Sequence, residues 1–159
     1  MSSDKRINET AAAERNREDI LKVLKETIPL HKPLTALEIA SGSGTHVGYF
    51  AEHLPNVTWR PSDYDPKNLP SLNAYMQKLP NILEPIVINI SEPLRLESSN
   101  FDIMLCINMV HISPWAATLG LFSNAGRILQ PQGKLFVSIF SSLQFQLRYP
   151  RYVWSLHVR

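Results

Sequence analysis

Cysteine is nearly missing from this sequence. Cys106 stands alone among 159 residues, which excludes an internal disulfide framework and any metal site built on several thiolates. No metal is expected. The default setting is then a reducing one, and the expectation is a cytoplasmic protein, with the nucleus also open to it. Long apolar runs are missing too. No stretch approaches the roughly 20 residues needed to cross a bilayer. The opening residues, Met1-Ser2-Ser3-Asp4-Lys5-Arg6, are polar rather than the apolar core of a signal peptide, so no membrane partner is expected. Acids are absent after residue 140, where Arg148, Arg151 and Arg159 supply three of the 16 basic residues. The other 13 basic groups are matched by 14 acids. The body is therefore near neutral, a poor electrostatic footprint for nucleic acid.

What is present is a globular composition, 44% hydrophobic and 19% charged, long enough to bury one core. Ile20, Leu21, Val23, Leu24 and Ile28 recur at helical spacing and predict a helix over 10–28, capped by Asn8 or Thr10 and stopped by Pro29. Apolar strands and helices then alternate. Strands are predicted at Leu34–Ile39, at Val57–Arg60 closed by Pro61, at Ile86–Ile88, at Phe101–Ile107 and at Lys134–Phe140. Helices are predicted at Thr45–Leu54, at Pro66–Leu79, and from a Ser113-Pro114 cap to Leu129, before a turn at Gln130-Pro131-Gln132-Gly133. This order predicts an α/β protein, a Rossmann-like, doubly wound, mostly parallel sheet with helices on both faces. Two domains of unequal standing are expected: 1–140, and a divergent tail, 141–159. In the tail Leu143, Phe145, Leu147 and Tyr149 alternate with polar residues, and Tyr152, Trp154, Leu156 and Val158 do so again. These runs suit either a hairpin on the sheet edge or an appendage.

The most informative segment is Leu37-Glu38-Ile39-Ala40-Ser41-Gly42-Ser43-Gly44, a strand leading through a turn of small residues into a helix. Small residues let backbone approach a ligand, and a helix N-terminus offers free N–H donors. A dinucleotide would want a third glycine at 47, but Val47 stands there and Gly48 is out of step. Glu38, just before the turn, would repel a pyrophosphate and would suit a cationic ligand without phosphate. S-adenosylmethionine (SAM) is such a ligand; the alternatives are a purely structural turn and a dinucleotide.

Other strand ends carry further candidates. Asp63, about 20–25 residues past the turn, is placed to accept hydrogen bonds from ribose hydroxyls, while Asp65, before Pro66, suits a helix cap. Asn89 either bonds the edge of an adenine or closes a turn. After the fourth strand, Asn108 and His111 should face the crevice at the strand ends. Asn108 is then a cofactor contact, and His111 either steers and deprotonates an acceptor or bonds its own loop. Cys106 lies inside an apolar strand and reads as core.

Together these residues resemble the class I SAM-dependent methyltransferases. Glu38-Ile39-Ala40-Ser41-Gly42-Ser43-Gly44 matches their first motif with Ala40 in a glycine place, and Leu129-Gln130-Pro131-Gln132-Gly133-Lys134-Leu135 looks like their turn into the fifth strand. Ala11-Ala12-Ala13-Glu14-Arg15-Asn16, the Glu38–Gly44 motif, Trp59-Arg60-Pro61-Ser62-Asp63 and Cys106-Ile107-Asn108-Met109-Val110-His111-Ile112-Ser113-Pro114 resemble, in that order, the methyltransferase-like 26 family. The resemblance covers roughly residues 9–140. It implies a SAM site from Glu38, Ala40, Gly42, Gly44, Asp63 and Asn89, with Arg15 and Asn16 lining the pocket. The family pattern has an Asp where Asn89 stands; an amide accepts one bond and donates another.

Relatives continue past the fifth strand with a helix and a closing antiparallel strand pair that residues 141–159 do not match. A truncated or alternatively spliced product is the expectation, with the SAM half of the site intact and the acceptor half and stability compromised. The expected activity is methyl transfer from SAM to an unknown acceptor. The alternatives are a catalytically inactive SAM-binding or interaction protein and, less well matched, an NAD-dependent oxidoreductase.

Overall fold

The computed structural model describes residues 3–96, 100–139 and 152–157, with side chains placed for 13–96 and 100–139. Its elements are α1 (Ser3–Thr27), β1 (Leu34–Ile39), α2 (Thr45–His53), β2 (Val57–Asp63), a 3-10 turn (Pro66–Asn68) leading into α3 (Leu69–Met76), β3 (Ile86–Val87), β4 (Phe101–Ile107), α4 (Trp115–Ile128), β5 (Leu129–Ile139) and β6 (Tyr152–His157). The strands form one sheet in the order β3-β2-β1-β4-β5-β6. The first five run parallel, and β6 returns antiparallel along β5. The second alternating run of the tail is thus an edge strand, whereas the first, Leu143 to Tyr149, lies outside the described residues.

Both faces of the sheet are apolar, and strand periodicity divides the core in two. On one face Ala36, Ile103, Leu105 and Phe136 meet Ile20 and Leu24 of α1, Val47 and Phe50 of α2 and Leu72 of α3. On the other, Leu37, Ile39, Met104, Cys106, Leu135 and Val137 meet Ala117, Leu121, Ala125 and Ile128 of α4. This is the doubly wound, Rossmann-like architecture that the alternation of elements predicts.

Several boundaries differ from expectation: the helix expected over Pro66–Leu79 is a 3-10 turn and a shorter α3, and β3 ends at Val87. The first helix begins at Ser3, ahead of the proposed caps Asn8 and Thr10. Pro61 does not close the second strand: β2 runs on to Asp63. Trp59 bonds toward Asn81 and Leu83 on the β3 side, so by alternation the amide that Pro61 lacks falls on that side too. There the ladder has a gap between the Trp59–Ile82 bridge and the Ser62–Ile86 pair, so no sheet bond is lost. Ser113 does not cap α4. Pro114, at φ −56° and ψ 149°, holds the cap position without a side-chain bond. The turn at 130–133 is taken up inside β5 as an irregularity, the register jumping from Phe101–Leu129 to Ile103–Lys134 with Gln132 at φ 70°.

The connection after β3 is fixed by α4 as well as by the Asp63 carbonyl of β2. Asn124 donates to the carbonyls of Ile90 and Glu92 and accepts from the Leu94 amide. Gly120 lets the helix reach this backbone: a Cβ there would lie 2.0 Å from the Ile90 carbonyl oxygen. Gly120→Ala should therefore cost about 1–3 kcal/mol by overpacking, seen as a lower urea midpoint with an unchanged m-value. An unshifted midpoint would show that this approach is not rigid.

Candidate functional site

The strand order turns about β1. The chain leaves it toward β2 on one side, and β4 takes up the other, so a crevice opens at the C-terminal ends of β1 and β4. The loop from Ala40 to Gly44 lines it. Three of its residues are left-handed: Ala40 and Gly42 at φ 56°, and Gly44 at φ 84°. Ala40 thus occupies a backbone conformation that favours glycine, as its place in the motif suggests; an L-residue there carries about 1–2 kcal/mol of strain.

Two serines tie this loop to β2. Ser41 N–H donates to the Ser62 carbonyl (2.8 Å), Ser62 N–H donates to Ser41 Oγ (3.1 Å), and Ser62 Oγ donates to the Glu38 carbonyl (2.6 Å). The tie brings Asp63 under the loop, where Oδ2 accepts from Gly42 N–H (2.8 Å) and Oδ1 from Asp65 N–H (2.9 Å). Asp65 caps the following turn by accepting from Lys67 N–H (3.0 Å), as its position before Pro66 predicts. The glycines serve different ends. A Cβ on Gly42 would enter open space, whereas one on Gly44 or Gly48 would strike the Tyr75 ring at 2.8 or 2.3 Å. Gly48, out of step for a dinucleotide, is there for packing.

Glu38 and Asn108 stand at the ends of β1 and β4. Glu38 is 2% exposed, and its Oε2 has no hydrogen-bond partner. Burial pushes its carboxyl up to about 7, with the Asp63 charge adding to the rise and a hydrogen bond from Ser41 opposing it. Asn108 is left-handed at φ 59°, its N–H held by the Ser138 carbonyl, and its Oδ1 is likewise buried without a partner. Two buried acceptors at the adjoining ends of β1 and β4 are thus left without a donor.

A family model described as a protein of unknown function (DUF938) matches residues 7–139. The chain belongs to the DUF938 family. Its fold is that of class I SAM-dependent methyltransferases. A candidate sarcosine dimethylglycine methyltransferase from Galdieria sulphuraria matches with TM-score 0.67 at 19% identity, over 81% of this chain and 47% of that one. PKMT2 from Rickettsia typhi, solved in complex with AdoHcy, matches with TM-score 0.60 at 22% identity, over 73% of this chain and 22% of its own. Coclaurine N-methyltransferase, bound to N-methylheliamine and SAH, matches with TM-score 0.61 at 13% identity, over 77% and 35%. The DUF938 chain spans less than half of each of these proteins.

The remaining candidates fall in different places. Asn16 is buried on α1, and its Oδ1 accepts from Nε2 of His46 in the first turn of α2 (2.7 Å). His46, which the sequence reading did not single out, is kept neutral: burial, helped by Arg17, lowers it to about 4. Its signal was a polar residue two positions after the glycine loop, four before Phe50, on whose ring it stacks. Arg15 is exposed on α1, and His111 is exposed in the turn after β4. Asn89 is half-buried and closes a turn, Oδ1 accepting from Ser91 N–H and Nδ2 donating to Glu92. Cys106 is buried core, its thiol pushed up to about 12. Among the described residues no set of three His, Cys, Asp or Glu side chains is placed to hold a metal ion, and no helix is long and apolar enough to cross a membrane.

Glu38 and His46 give the DUF938 chain opposed pH dependences. Glu38 is raised in the fold, so the unfolded chain ionises first and stability falls as pH rises from about 4.5 to about 7. His46 is lowered, so stability falls as pH drops from about 6.5 to about 4. Glu38→Gln should be no more stable than the parent at pH 4. It should gain steadily up to pH 7.5, where the difference reaches on the order of 3 kcal/mol. Thermal melts of both proteins across that range check this, and a difference that does not change with pH would refute it.

Proposed function

We propose that this chain is a methyltransferase that takes its methyl group from SAM, within the methyltransferase-like 26 branch of the class I enzymes. The observation that carries this reading is the pair of unpartnered buried acceptors, Glu38 Oε2 and Asn108 Oδ1, beside the glycine loop. A buried acceptor without a donor in the protein asks for one on a ligand. A buried carboxylate next to a second acid asks for a positive one. SAM brings an ammonium and a sulfonium and no phosphate. A dinucleotide would bring two phosphates to the same acids.

In this reading Glu38 and Asn108 take the cationic end of the cofactor. Asp63 takes the ribose hydroxyls, since each of its oxygens keeps a lone pair beyond the one given to a backbone amide. Ala40, Gly42 and Gly44 shape the backbone that passes the ligand, with open space before Gly42. Asn89 offers its remaining N–H to an adenine edge. Asn16 acts on the loop through His46, and Arg15 flanks the same helix. Bound SAM supplies an electrophilic methyl on a good leaving group. The chain then has to hold donor and acceptor in line, which is worth several kcal/mol, and His111 takes a proton where the acceptor carries one. The acceptor is left open. The near-neutral body disfavours nucleic acid, and the proposed setting is cytoplasmic, with the nucleus also open and no membrane partner.

One observation favours a second reading, a SAM-binding protein that docks a partner without turnover. Ile112, Trp115, Leu119 and Phe122 are all exposed, and the last three follow helical spacing on α4.

Calorimetric titration of the 159-residue chain should give micromolar SAM binding and no NAD binding. Asp63→Ala should weaken SAM by about tenfold or more. NAD binding in place of SAM would sink the proposal, as would a cooperatively melting chain that binds neither. Production of S-adenosylhomocysteine with an acceptor panel separates the enzyme from the docking protein.

A further inference from the structure

Asp63 and Glu38 are neighbouring acids at the ends of β2 and β1, yet the fold treats them differently. Asp63 receives two backbone N–H groups. Glu38 is buried, with one oxygen unpartnered. By alternation it shares the face of Ala36, the side covered by α1 and α2. The titratable groups around it supply no countercharge. Asp63 on β2 is another acid. Cys106 on β4 is a thiol turned to the opposite face. His46 of α2 is held neutral. Arg17 of α1 lies over the Tyr49 ring, 4.5 Å from its centroid. A carboxyl group in such surroundings holds its proton to a higher pH than usual, and a cation beside it favours the ionised form.

We propose that Glu38 stands protonated in the ligand-free protein and yields that proton to solvent when a cationic ligand group seats at the strand ends. Ligand entry and ionisation of Glu38 are then one step. This rests on the SAM reading of the site and adds a rule of selection to it. Only the O–H bond of Glu38 breaks, and the ligand's positive charge balances the carboxylate that forms. A neutral ligand of the same adenosine shape cannot drive the exchange. Burial places Glu38 at about 7, so the exchange falls within the ordinary range of cellular pH.

The test is calorimetry of the full chain at pH 6 in two buffers of different ionisation enthalpy, with SAM and with 5′-methylthioadenosine, a neutral fragment of it. SAM should release close to one proton per molecule bound, and its affinity should fall about tenfold between pH 6 and pH 5. 5′-Methylthioadenosine should bind without release and without that slope. Glu38→Gln should bind SAM more weakly, with no release. If SAM binds with no proton released, or with equal release in Glu38→Gln, the coupling is overturned and the SAM reading survives. If no SAM binds at any pH, both fall. Should Glu38→Gln not fold, the comparison of the two ligands on the parent chain still decides.

Discussion

The hydrogen bond from Gly42 N–H to Asp63 Oδ2 is the contact on which the site depends. It closes the turn after β1 onto the end of β2, and it requires Gly42 in the left-handed region, a conformation that costs glycine nothing and other residues about 1–2 kcal/mol. The Ser41–Ser62 exchange holds the two strand ends in register for it. Once the loop is folded back, backbone amides that would point at a ligand are partly spent on Asp63. The acid left with an unpartnered oxygen is then Glu38. The same contact fixes the geometry and divides the electrostatic roles of two acids.

The rest of the molecule serves that arrangement. Parallel strands place their C-terminal ends together, and helices on both faces remove water from β1 and β4. That dry setting lets Glu38 remain uncharged and makes His46 a neutral hydrogen-bond donor to Asn16. The polar pair between α1 and α2 directs the first turn of α2, and so the exit of the glycine loop, through a bond that an apolar contact could not orient.

Much of this was legible in the sequence because it depends on period and on backbone chemistry. β1 and β4 were readable to the residue from apolar runs bounded by turn residues, and the turn between β1 and α2 from its small residues. Even Ala40 betrayed its conformation by standing in a glycine place. Pro61 misled because the rule that proline ends strands presumes a partner for its amide, and that partner is set by tertiary pairing. Asn16 and His46 are thirty residues apart, and no local pattern announces a bond between them. The unpartnered oxygens of Glu38 and Asn108 were illegible for the same reason: burial is a property of the assembled core. Asn89 shows the limit from the other side, since the amide that suits an adenine edge equally suits the turn it closes.

The way β3 is held has its own consequence. Its ladder to β2 is two residues long, while the backbone just beyond it is gripped by Asn124 and seated against Gly120. The backbone around Asn89 is thus held from two sides, by the Asp63 carbonyl of β2 at Ile88 and by Asn124 of α4 at Ile90. The exposed apolar stripe lies on that same helix. A partner seated on α4 would therefore bear on the same helix that holds the backbone around Asn89.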